Sequence, residues 1–235
     1  MKRSPQGPRN LSTRSDQGML NWRCHAAIED AAPVLLCLHP LPFDGRFFDA
    51  TAPLLASKRP VLCPDYPAFG ASEALEAPWS IEAWADALLA GVATLPTGTP
   101  VDLLGFHTGC LVGAEMALRD PERIGRLVLV DTPYFDAEQR LALGEKTANA
   151  PRYHGKPLAI AGFRAAFAYD PMPCFRRLEH DTLCIGTDSS LHGPSEAAAR
   201  AAPGARFLGR RDLVAPVFKA SAEAIADCTE TFLSR

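Results

Sequence analysis

A chain of 235 residues with 47% hydrophobic and 22% charged side chains has the make-up of a soluble globular protein, long enough for one domain with a sizeable core. Its formal net charge of -3 gives no reason to expect nucleic acid or an anionic membrane surface as partner. Its seven cysteines include no C-x-x-C pair, so the usual signatures of a zinc site or a redox dithiol motif are missing.

In chain order, residues 1–17 are rich in Ser, Pro, Arg and Gln and are expected to form a disordered tail. Met1 to Pro8 lacks the apolar core of a signal peptide, and no apolar run approaches the roughly 20 residues that span a bilayer, so a cytoplasmic location is expected. Met19 to Ala27 reads as an edge strand and Pro33 to His39 as the first buried strand. Helical spacing over 47–55 is followed by a strand at Pro60 to Pro64. Ser80 reads as the N-cap of a helix, with Glu82 in its first turn and Ile81, Trp84, Leu88 and Val92 on its buried stripe. Pro96 and Gly98 end that segment.

Val101 to Leu104 then forms an apolar strand, Gly105-Phe106-His107-Thr108-Gly109 a sharp turn, and the following residues a helix that stops at Asp120-Pro121. Another strand is expected at Leu127–Val130, followed by an irregular insert over about 134–180. The last strands are read at Thr182–Ile185 and Ala205–Leu208, with a helix over Pro194–Ala202 between them and a closing helix over Ser221–Leu233 that buries Ile225, Cys228 and Phe232. Strands alternating with helices imply an α/β fold with a mostly parallel central sheet covered on both faces, forming one domain over residues 18–235. Cys37, Cys63 and Cys184 fall in the buried strands and read as core residues. Arg206, Arg210 and Arg211 read as a solvated edge.

The strand, the G-x-X-x-G turn and the helix resemble the nucleophile elbow of the α/β-hydrolase superfamily, in which the middle residue sits on a strained turn and projects into the site. The resemblance runs from about Leu20 to the C-terminus. Val34-Leu-Leu-Cys-Leu-His-Pro-Leu-Pro42 resembles the family's oxyanion segment, with Pro40 where glycine is usual. Asp65-Tyr-Pro-Ala-Phe-Gly-Ala-Ser72 resembles its D-x-P-G-x-G-x-S turn, with Ala68 in place of one glycine. Arg126 to Pro133 resembles its next strand, and the insert at 134–180 its cap, here short over an open pocket.

The elbow carries His107 where the family has Ser, Cys or Asp. The family's acid follows the penultimate strand; Gly186-Thr-Asp-Ser189 puts Asp188 one residue early, either as that acid or as a turn former. The loop Gly209 to Phe218, where the family's histidine belongs, has none, and His192 lies one loop too soon.

The resemblance therefore implies catalytic roles for His107 and Asp188, with Asp131 an alternative partner for the ring, and oxyanion donors at the Leu41 and Thr108 N–H groups. His39, Pro40, Phe106 and Cys110 are expected around the pocket, with His39 holding the oxyanion loop and Cys110 turned into helix packing. His154 and His180 are expected at the surface. The implied activity is hydrolase- or lyase-like chemistry on a small organic molecule, without cofactor or metal. The alternative is a non-catalytic small-molecule-binding protein in which His107 fills the nucleophile's space. Nothing in the sequence fixes the oligomeric state.

Overall fold

The computed structural model describes residues 8–15, 18–26, 28, 33–74, 79–95 and 100–235. Eight strands form one sheet: β1 (Arg9–Ser15), β2 (Gly18–His25), β3 (Leu35–Leu38), β4 (Val61–Pro64), β5 (Val101–Phe106), β6 (Ile124–Val130), β7 (Thr182–Thr187) and β8 (Ala205–Arg210). Their order is β1-β2-β4-β3-β5-β6-β7-β8. β3 to β8 run parallel, while β2 lies antiparallel to both β1 and β4.

Two expectations at the N-terminal end are corrected. Residues 9–15, expected in a tail, pair along their whole length with β2, and β2 is therefore not the edge. Thr13 explains part of this: it is buried and accepts a 2.7 Å hydrogen bond from the Trp22 indole. The rest of the expected tail (residues 1–7, 16 and 17), Ala27 and the break at Pro96 and Gly98 lie outside the described residues.

β3, β4 and β5 are buried at every position, because helices cover both faces of a parallel sheet. On one face lie α2 (Ile81–Val92) and α3 (Thr108–Arg119). The Ser80 hydroxyl accepts from the Ala83 N–H to cap α2, as its sequence position predicts, and Glu82 sits in the first turn. The other face carries α1 (Ala52–Leu55), α8 (Val217–Ala220) and α9 (Ala222–Leu233). On α9, Ile225 and Phe232 are buried, whereas Cys228 is only half-buried.

The insert between β6 and β7 holds α4 (Ala137–Ala148), α5 (Pro157–Ala168) and α6 (Pro171–Arg176). α7 (His192–Ala201) returns the chain to β8. Within the insert, α4 packs on α5, and Gly162 of α5 lies so close to Leu41 and Phe69 that a Cβ there would stand 3.1 Å from the Phe69 ring. The insert is therefore seated over the carboxyl ends of the strands. No described helix is long and apolar enough to cross a membrane.

Candidate active site

The turn after β5 has the geometry its glycines require. His107 holds φ 49 and ψ -115, a conformation costly for any residue with a Cβ. A side chain at Gly105 would collide with the Gly109 carbonyl, and one at Gly109 would meet the Leu38 backbone. α3 can thus start directly against β3 only because position 109 lacks a Cβ. The His107 N–H donates to the Val130 carbonyl at 3.2 Å, pinning the turn to the end of β6.

The His107 ring is half-buried and lies 3.9 Å from the Phe106 ring, which in turn packs against Phe47 and Phe218. Burial pushes the imidazole down to about 4, against the opposing pull of the Asp131 carboxylate. The ring is therefore neutral at neutral pH, the form that accepts a proton. It has no hydrogen-bond partner among the described residues.

Asp131 stands at the end of β6 as His107 stands at the end of β5, since Phe106 and Val130 are register partners. It too has a positive φ, 51. Its carboxylate is buried and fixed from β7: the Thr187 N–H donates to it at 2.9 Å and the Thr187 hydroxyl at 2.6 Å. The Asp131 N–H donates to the Ile185 carbonyl. Two strained, adjacent strand ends thus place a neutral imidazole within electrostatic range of a clamped carboxylate.

Asp188 is not brought to His107. β7 continues through Thr187, and the Asp188 N–H donates to the Leu213 carbonyl, which turns the side chain outward. The carboxylate is exposed and faces Arg211 at 3.9 Å. The loop after β8 holds no histidine: Leu213 is buried there, and the exposed Asp212 pairs with Arg210. His192 begins α7, with its Nδ1 3.0 Å from the Thr187 carbonyl and its ring edge-on to Phe207.

The segment after β3 is tied to the segment after β4 by His39. The Tyr66 N–H donates to His39 Nε2 at 3.1 Å, so the ring proton sits on Nδ1 and donates to the Pro40 carbonyl. The ring is fully buried and stacked on Tyr66, and burial pushes it down to about 4. The turn after β4 is equally fixed: Asp65 accepts from the Asn21 side chain and from the Gly45 and Ala71 N–H groups. Ala68 sits at φ 71, where the family's glycine would be unstrained.

Leu41 and Thr108 are both buried, Leu41 beneath α5 and Thr108 at the first position of α3. Cys110 is turned into the packing, its thiol donating to the Val130 carbonyl and raised well above its ordinary value by burial. His154 is exposed and His180 half-exposed. No group of three or more metal-ligating side chains occurs among the described residues. Thr187 and the Phe47–Phe218 packing around Phe106 are missed by sequence reasoning. Thr187 lies two residues beyond the strand expected at Thr182–Ile185, since β7 runs on to it; the aromatics join from opposite ends of the chain.

An eight-stranded sheet in this order, with a strained strand–turn–helix at its centre, defines a class of α/β proteins whose working residues sit on loops at the carboxyl ends of the strands. Residues 33–169 match the alpha/beta hydrolase fold family, and the chain belongs to it. The pimeloyl-[acyl-carrier protein] methyl ester esterase of Neisseria meningitidis serogroup C (strain FAM18) is 32% identical over 197 residues, covering 78% of this chain and 73% of that protein. The protein of the same description from Aromatoleum aromaticum is 33% identical over 147 residues, 62% of this chain and 54% of its own length. The chain spans little more than half the length of several such relatives. In fold it is similar to an esterase from Exiguobacterium antarcticum, with TM-score 0.79, 15% identity and coverage of 97% and 100%. The enol-lactonase from Burkholderia xenovorans LB400 gives TM-score 0.74 at 20% identity, with coverage of 96% and 100%.

Proposed function

We propose that this chain is a cofactor-free enzyme of hydrolase type that acts on a small organic ester, with His107 as general base. One observation carries the reading: a residue with a full side chain is kept at φ 49 and ψ -115, and Asp131 stands at the neighbouring strand end. In this scheme the neutral imidazole takes a proton from water as the water oxygen attacks the ester carbonyl carbon. The Leu41 and Thr108 N–H groups donate to the oxygen that gains charge. Asp131 stabilises the imidazolium, which then returns its proton to the departing alkoxide. The esterase descriptions of the relatives support the choice of an ester.

A second reading, a binding protein without turnover, is favoured by the ring's close packing on Phe106 and its lack of a hydrogen-bonded partner among the described residues. The test is hydrolysis of a panel of short-chain methyl and p-nitrophenyl esters by the full chain and by His107→Ala. The enzyme reading expects turnover that falls at least about 100-fold in the variant. Equal rates in the two proteins would end it, and saturable binding without turnover in both would establish the second reading.

A further inference from the structure

Three strands bring two thiols and an imidazole together on the sheet face opposite α2 and α3. β3 and β4 run parallel with Leu35 beside Val61 and Leu36 beside Leu62, so the next rung sets Cys37 beside Cys63. Both are fully buried free cysteines in the same cluster as Leu35 and Val61. Neighbouring strands run about 4.8 Å apart, inside the roughly 4.4–6.8 Å between Cα atoms that a disulfide can bridge. On the other side of β4, His25 of β2 stands opposite Val61. That register puts its ring diagonal to Cys63 on the same face. His25 is only 6% exposed, and its Nε2 is buried with no hydrogen-bond partner among the described residues, a state that buried polar groups seldom keep.

We propose that Cys37 and Cys63 are an oxidisable dithiol served by His25 as base, and that hydrogen peroxide converts the pair into a cross-strand disulfide. His25 takes the Cys63 thiol proton, and the thiolate sulfur attacks one peroxide oxygen. The O–O bond breaks, Cys63 becomes a sulfenic acid, and the departing hydroxide recovers the proton as water. The Cys37 sulfur then attacks the Cys63 sulfur, the S–O bond breaks, and the departing hydroxide takes the Cys37 thiol proton and leaves as water. The two thiols lose two electrons in all, and the peroxide gains them.

Burial holds the Cys63 thiol well above its ordinary value while the neighbouring His25 pulls it back, so the reaction is slow and calls for excess peroxide. The bond would tie β3, which runs into His39 and Leu41, to β4, which runs into Asp65 and Tyr66. His39 already joins those two segments through the Tyr66 N–H.

The experiment treats the folded full chain with excess hydrogen peroxide, alkylates the remaining thiols and maps the digest by mass spectrometry. The expected product lacks the mass of two hydrogens and carries one cross-link, between the peptides of Cys37 and Cys63, reversed by dithiothreitol. His25→Phe, checked for native circular dichroism, should slow the cross-linking at least about tenfold. An unchanged rate in a folded His25→Phe protein would overturn the role of His25. Oxygen addition or cross-linking at the half-buried Cys24 and Cys228, with Cys37 and Cys63 still alkylatable, would overturn the dithiol itself; this mapping needs no variant to fold.

Discussion

Replacing His107 by alanine and by glycine separates what its ring contributes from what its backbone costs. Both variants lose the contact with Phe106, so that contribution cancels in their difference. Alanine retains a Cβ at φ 49 and ψ -115, where a non-glycine residue costs about 1–3 kcal/mol. Glycine removes that strain but adds about 0.5–1 kcal/mol of unfolded-state entropy relative to alanine. The glycine variant should therefore be the more stable by about 1 kcal/mol, the reverse of the usual order. In a chain of this length that is about 2–4 °C in Tm. Urea denaturation of the two proteins at neutral pH reads the difference directly. A glycine variant less stable than the alanine one by the ordinary entropy cost would refute the claim that the elbow stores strain, and with it the observation that carries the proposed function.

Acid should weaken the fold through His39. Its folded value of about 4 lies below the ordinary 6.5, so the unfolded chain binds a proton that the folded one refuses. Stability is full above pH 6.5, falls as pH drops toward 4 and then levels, losing about 3 kcal/mol from this fully buried ring; His39→Phe should flatten that part of a urea-stability profile, and parallel profiles would count against it. Asp131→Asn should cut turnover by about 10-fold or more, as expected when a charge facing a general base is removed, while Asp188→Asn should leave it unchanged; the opposite pattern in ester assays would restore Asp188 as the acid. His107→Ser should give only trace hydrolysis of p-nitrophenyl esters and no stoichiometric labelling by a fluorophosphonate, because the loop after β8 lacks a histidine and His192 faces the Thr187 carbonyl. Robust turnover by that variant would reveal another base.

The positions of β2 to β8 along the chain, the capped α2 and the sharp turn at His107 were legible in the sequence, because each rests on local chemistry. Apolar runs of strand length, a serine before a helical stripe, and glycines at 105 and 109 act over a few residues. The absence of a histidine from the final loop could likewise be read from the residues present. The role of residues 9–15 was not legible: their polar composition describes exposure, whereas pairing with β2 depends on where that strand lies. Where the two carboxylates point is decided by tertiary structure alone. Asp188 and Asp131 each follow a strand, but the bond from the Asp188 N–H to Leu213 turns one outward, and the two Thr187 donors hold the other in the interior. The same holds for Cys37, Cys63 and His25, each an ordinary core residue in sequence. Strand register sets them on one face, and register depends on hydrogen bonds between segments far apart along the chain, as where His25 of β2 stands opposite Val61 of β4, 36 residues on.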